Sequence, residues 1–312
     1  MNFTKKIIYL LLFFPTIAFA QMQQADDNDN FTKTELIYGR KDGMALTMFM
    51  LTPKNNQKTK AIVSIASGNW RSGIINAERF AKRNKIYTDK GYTVFVVMHG
   101  SQPRYTIPDA VADIKRAVQF IRYNARKFNV DENHIGITGQ SSGGHLALMA
   151  GLSDDTKKEN AEDPVDRVSD RVQAIAVFYP PTDFLNWGQS GIDLSVLQQL
   201  LVRAGVASAF DFKVWSDSSN TYTAVTDAQK KLEISKQYSP VYSVTTDDPP
   251  VVIIHGDADK TVPLQQSEIL VRKLNDVSIV NQLVIIKDAG HGWENSETDE
   301  KLFIDWFDKY LK

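Results

Sequence analysis

The chain has 312 residues, of which 43% are hydrophobic and 23% charged, with a formal net charge of −1 and no cysteine. That balance describes a globular protein. It excludes the basic face that contacts with nucleic-acid phosphates require, and it leaves the core to hold the fold without disulfides. The length is somewhat large for one domain, yet within what an α/β protein uses for one core with an insertion.

Residues 1–20 stand apart from the rest. Lys5 and Lys6 form a basic start, residues 7–17 an apolar run, and Ala18-Phe19-Ala20 an A-x-A site, the pattern of a secretory signal peptide cut before Gln21. The apolar run is too short to span a membrane, and no second long run follows. The expected product is exported, periplasmic or secreted, with no membrane span. Cleavage of 20 from 312 residues leaves 292, and loss of Lys5 and Lys6 takes the charge from −1 to −3. Residues 21–30 are polar and aperiodic, a disordered lead-in; their acidic cluster lacks the glycine of a calcium loop, and Phe31 falls at a ligand position.

Residues 31–38 and 44–51 read as strands joined through Lys41-Asp42-Gly43, a D-G hairpin turn. Residues 61–66 predict a buried strand, followed by the loop Ser67-Gly68-Asn69-Trp70-Arg71-Ser72-Gly73, rich in residues that tolerate positive φ. A helix is expected around 78–89. Residues 92–98 are an almost continuous apolar run, suited to a parallel strand buried on both faces. Pro108-Asp109 opens the clearest helix, whose Val111, Ile114, Val118, Ile121, Ala125 and Phe128 share one face.

Residues 135–148 read I-G-I-T-G-Q-S-S-G-G-H-L-A-L, a G-x-S-x-G match with β-branched residues before it and a helix former's run after it. Strand, sharp elbow and helix follow from that order. Ser141 would stand exposed at the sheet's C-terminal edge, with Gly139 and Gly143 letting strand and helix pass closely and the Ser142 amide aimed at whatever Ser141 attacks. Residues 153–171 read as a polar surface insertion and 172–179 as a strand. Residues 184–241, with helical patches and no strand of sheet type, read as a cap over the site. Residues 250–255 predict a strand, 263–274 a helix and 277–286 the last strand. Ser296 then caps a helix whose Leu302, Phe303, Trp306, Phe307 and Tyr310 face inward. Strands alternating with helices after an initial hairpin imply a mostly parallel sheet covered on both faces, with residues 31–312 as one domain.

A serine nucleophile needs an imidazole to take its proton and a carboxylate to fix that imidazole's tautomer. At an elbow of this type the chain order is serine, acid, histidine. Of the histidines at 99, 134, 145, 255 and 291, the last two alone follow an acid that follows Ser141. His255 ends an apolar strand and suits packing beneath the acid loop, and His145 suits packing at a helix start. His291, in a loop past the last strand, is the base. For the acid, Asp259 is favoured because it lies deep in the turn after His255; Asp257 suits bracing that turn, and Asp183 belongs to the neighbouring strand. The second oxyanion donor is expected from Gly68-Asn69. The histidines show no zinc spacing, and no metal or organic cofactor is implied.

In this order, G-Q-S-S-G-G-H-L-A, H-G-D-A-D-K-T-V-P and D-A-G-H-G-W resemble the α/β-hydrolase superfamily. The likeness is to secreted esterases similar to acetyl-xylan and feruloyl esterases, and to the catalytic domain of prolyl-oligopeptidase-type peptidases. It covers roughly residue 40 to the C-terminus. It implies Ser141 as nucleophile, Asp259 as acid, His291 as base, and oxyanion amides at Ser142 and in the Gly68-Asn69 loop. One departure stands out: where the family has H-G-G-G-W this chain has Ala66-Ser67-Gly68-Asn69-Trp70, with the tryptophan in place. The leading expectation is a serine esterase acting through an acyl-enzyme on a small-molecule or carbohydrate-linked ester, with Trp70, Trp187 and Trp293 as flat faces for sugar rings or aromatic acids. Alternatives are a prolyl-oligopeptidase-type peptidase, which usually carries a β-propeller ahead of this domain, and a non-catalytic binding protein, which would not require all three residues.

Overall fold

The computed structural model describes residues 30–54, 57–293 and 296–312, the side chains of Ser296 and Glu297 excepted. The expected leader, nearly all of the lead-in and the capping side chain of Ser296 lie outside those residues.

The chain opens with the hairpin β1 (Phe31–Lys41) and β2 (Met44–Pro53). Its turn holds Asp42 at φ 47° and Gly43 at φ 79°, the successive left-handed residues that match a tight turn to strand twist. Next come β3 (Thr59–Ile65), α1 (Ile74–Arg83), α2 (Lys85–Thr88), β4 (Thr93–Val97), α3 (Ile107–Tyr123), α4 (Ala125–Phe128), β5 (Val130–Gln140), α5 (Ser142–Leu152) and β6 (Ala174–Phe178). Residues 184–241 contain α6 (Gln198–Arg203), a small hairpin of β7 (Lys213–Ser216) and β8 (Thr221–Ala224), and α7 (Ala228–Gln237). The chain closes with β9 (Val251–Gly256), α8 (Gln265–Asp276), β10 (Asn281–Ile286) and α9 (Ser296–Tyr310).

Eight strands form one sheet in the order β1-β2-β4-β3-β5-β6-β9-β10. β2 runs antiparallel to β1 and β4, and the remaining pairs are parallel. Central strands are apolar on both faces because both are covered. Val63, Ile65, Phe95 and Val97 pack with α3 and α5, while Ile62, Val94 and Val96 pack with α1 and α9. α3 starts where expected, with Pro108 in its first turn and the Asp109 carboxylate accepting the Thr106 amide at 2.9 Å.

Two expectations need correction. The helix placed around 78–89 begins at Ile74 and breaks at buried Asn84, whose side-chain amide turns inward to Ser64 Oγ at 2.8 Å. In residues 184–241 there is a strand pair after all, β7–β8, which stands exposed and belongs to no larger sheet.

Candidate active site

The serine sits at the turn from β5 into α5, at φ 52° and ψ −123°. A non-glycine residue reaches that region only under strain, and such strain persists where the surroundings dictate it. Here the Ser141 amide is tied to Phe178 O at 3.0 Å, on the neighbouring strand β6. The close passage explains the flanking glycines: a Cβ on Gly139 would meet Gly143 O at 2.3 Å, and one on Gly143 would meet Ile65 O at 3.0 Å.

Ser141 Oγ lies 2.9 Å from His291 Nε2, and His291 Nδ1 lies 2.7 Å from Asp259 Oδ2. The carboxylate accepts from Nδ1–H, so Nε2 carries a lone pair and accepts the serine hydrogen. Asp259 follows β9 and His291 follows β10, so two parallel strands carry their loops to the edge where the elbow projects. The Asp259 side chain is fully buried. Its other oxygen accepts the amides of Thr261 at 2.8 Å and Val262 at 3.0 Å. His255 lies beneath: Nδ1 accepts from Ser267 Oγ–H at 2.7 Å, and Nε2–H points to Val262 O at 2.9 Å and Asp259 Oδ2 at 3.3 Å. Burial alone would raise the Asp259 carboxyl, but the hydrogen bonds from His255, His291 and the Val262 amide outweigh it and hold the group well below the usual carboxylate range.

The rival acids serve elsewhere. Asp257 Oδ1 accepts the Asp288 amide at 2.6 Å and so braces the loop that carries His291. Asp183 is capped by the Leu185 amide, Asn186 and Tyr242. His145 packs as expected, accepting Trp70 Nε1–H at 3.2 Å and donating to Tyr238 O at 2.8 Å.

Ser142 opens α5, where a first-turn amide has no partner within the helix. In the facing loop, Gly68 and Arg71 exchange two backbone hydrogen bonds, of 2.9 and 2.8 Å, which commits the Gly68 amide. The expectation that Gly68 donates to an oxyanion is thereby corrected. Asn69, at φ 54°, has no partner for its amide among the described residues and is the one of the pair left for that role.

The tryptophans divide. Trp70 is buried, edge-on to His145, Phe184 and Phe210, and offers no surface to a ligand, a correction with a plain cause: the 184–241 segment covers it. Trp187 is half-buried against the core. Trp293, also half-buried, lies against Phe178 and Tyr179 and donates to Asp299 at 2.7 Å.

Sequence reasoning gave Tyr179 no part in the site. Tyr179, at φ 35°, packs its ring 4.6 Å from that of His291 and donates to Gln140 Oε1 at 3.0 Å, linking the residue before the serine to the imidazole. No motif surrounds it; its position just past the end of β6 is the one available signal. Among the described residues no group of three or more carboxylates and histidines is arranged to hold a metal ion, and no helix is long and apolar enough to cross a membrane.

A strained serine turn at the C-terminal edge of this sheet, met by loops from β9 and β10, defines an α/β-hydrolase fold. Residues 48–274 match the BD-FAE family model, and the chain belongs to that family. Among curated proteins it is similar to esterase LipC of Mycobacterium tuberculosis, 24% identical over 84% of this chain and 60% of that protein. It is also similar to a probable carboxylic ester hydrolase, LipM, of the same organism, 26% identical over 70% of this chain and 45% of that protein. The chain thus spans roughly half the length of these relatives. Among solved structures, a truncated carbohydrate esterase from gut microbiota superposes with a TM-score of 0.72 at 23% identity, covering 93% of this chain and 99% of the other. An acetyl ester-xyloside bifunctional hydrolase from Caldicellulosiruptor lactoaceticus gives 0.65 at 21%, covering 89% and 93%. At such identities the likeness is one of fold.

Proposed function

We propose that the protein is an exported serine hydrolase that cleaves carboxylic esters through an acyl-enzyme, with carbohydrate-linked acyl groups as substrate. The reading rests on one observation, the unbroken hydrogen-bond chain from Ser141 through His291 to Asp259 at a strained elbow. Ser141 Oγ attacks the ester carbonyl as its proton passes to His291 Nε2, and Asp259 stabilises the imidazolium that forms. The tetrahedral oxyanion accepts from the Ser142 and Asn69 amides. Collapse breaks the ester C–O bond, and the leaving alcohol takes the proton from His291. Water then repeats the sequence on the acyl-enzyme, releasing the acid and restoring the serine. The carbohydrate part is supported by the half-buried Trp187 and Trp293 and by the esterases of similar fold. Export is supported by the composition of residues 1–20.

Purified protein should hydrolyse p-nitrophenyl acetate and acetylated xylo-oligosaccharides, and Ser141→Ala should lower both rates by at least about 10⁴-fold with the fold intact. Turnover of aminoacyl anilides without esters would replace the reading with a peptidase. No turnover of any acyl substrate by the wild type would leave a binding protein.

A further inference from the structure

We infer that His99 is a positioning residue for the oxyanion loop, holding it against the start of α5 through the hydroxyls of Ser67 and Ser142. The inference rests on the hydrolase reading above. Ile65 of β3 pairs with Val97 of β4, and Ser67 and His99 each lie two residues further on, so the register of two parallel strands brings them side by side. His99 Nε2 is 2.9 Å from Ser67 Oγ, and Ser67 Oγ is 3.0 Å from Ser142 Oγ. All three side chains are buried.

The far end of the chain fixes each proton. His99 Nδ1 lies 2.8 Å from Gly100 O, a carbonyl that can only accept, so Nδ1 carries the hydrogen and Nε2 the lone pair. Ser67 must then donate to His99, and Ser142 must donate to Ser67. Burial pushes the His99 imidazole down to about 4, which keeps Nε2 an acceptor at neutral pH.

The loop needs such an anchor. Asn69 and Trp70 follow each other at φ 54° and 51°, two non-glycine residues in the left-handed region, a conformation that lasts only where the surroundings impose it. Gln102 holds Asn69 O at 2.6 Å, and Asn69 Nδ2 reaches Ala204 O at 3.3 Å, so the outer side of the loop is fastened to its neighbours. The inner side, facing the elbow, is fastened by Ser67. Because Ser142 supplies both the hydroxyl in this chain and the first expected donor amide, the contact sets the spacing of the two donors.

The test compares Ser67→Ala, His99→Ala and His99→Gln in the full chain, measuring kcat and KM on p-nitrophenyl acetate and inhibition by a trifluoromethyl ketone, which forms a tetrahedral adduct on the serine. Displaced donors should cost kcat about 10- to 100-fold with KM within about 3-fold, and ketone affinity should weaken by the same factor as kcat. His99→Gln should recover most of the loss, since its amide oxygen can accept from Ser67. Unchanged kcat and ketone affinity in Ser67→Ala, even with a lower melting temperature, would overturn the inference. If His99→Ala fails to fold, Ser67→Ala decides, since it deletes a single oxygen. Ser141→Ala, assayed alongside, separates the two levels: retained activity there removes the hydrolase reading itself, whereas its loss beside an unaffected Ser67→Ala removes this inference alone.

Discussion

Asp259 and Asp257 are two positions apart on one turn, and their hydrogen bonds assign them different work. Asp259 spends one oxygen on backbone amides and the other on two imidazoles, so its charge is fixed in place and directed at His291. Asp257 accepts a single loop amide and touches neither imidazole through its side chain. Asp259→Asn should therefore lower kcat on p-nitrophenyl acetate by about 10³- to 10⁴-fold, because the amide favours the wrong histidine tautomer. Asp257→Asn keeps an oxygen for the Asp288 amide and should cost less than about 10-fold. The reverse ranking would exchange their roles.

At the level of elements, most of the sheet was legible because both-face burial writes long apolar runs and an elbow demands glycines at fixed offsets. The order serine, acid, histidine was equally readable, since parallel strands bring successive loops to one edge. What the sequence hid depended on partners far along the chain. Asn84 breaks a helix because Ser64 lies opposite, and Trp70 is buried because residues 184–241 fold over it. The β7–β8 hairpin, short and exposed, has no apolar alternation to announce it. His99 offered no local pattern either, its partner Ser67 lying on another strand's end. The covering segment also carries a prediction. Trp187 is half-buried in it, and Gln265 and Gln266 fasten the adjoining Asn186 O to α8 at 2.8 and 3.1 Å. Trp187→Ala should raise KM for an acetylated xylo-oligosaccharide about 10-fold while moving that for p-nitrophenyl acetate less than about 2-fold. Equal effects on both would remove the indole from sugar recognition.

For the molecule as a whole, the buried imidazoles set its tolerance of acid. Burial pushes both His99 and His145 down to about 4, whereas an unfolded chain protonates its histidines near about 6.5. Between those values the unfolded state binds the extra protons, so stability falls as pH falls. The loss from pH 7 to pH 5 should be about 2 kcal/mol for each histidine. Asp259 acts in the same direction at lower pH: its depressed value contributes stability that is complete above the unfolded carboxylate range and disappears as pH falls through its folded value. The Asp248 carboxyl, pushed up to about 6 by burial, opposes them over the same range because the folded state gains its proton first, so the net loss is smaller than the two histidines' sum. Urea titrations at pH 7 and pH 5 should show a lower midpoint at pH 5, and His145→Gln should remove more than half of the difference. Identical wild-type midpoints would mean that these rings accept protons in the folded state.

The bond between Ser141 and His291 joins positions 150 residues apart, and the one between Ser67 and Ser142 spans 75. The first of these depends on β9 and β10 lying beside β6 in the sheet, which brings the His291 loop to the edge where Ser141 stands. The elbow is built by β5, α5 and β6, whereas the acceptor for its hydroxyl is carried on the loop past β10. Under the proposed mechanism the elbow alone therefore makes no nucleophile: a chain cut short before β9 would carry the serine without the imidazole that takes its proton.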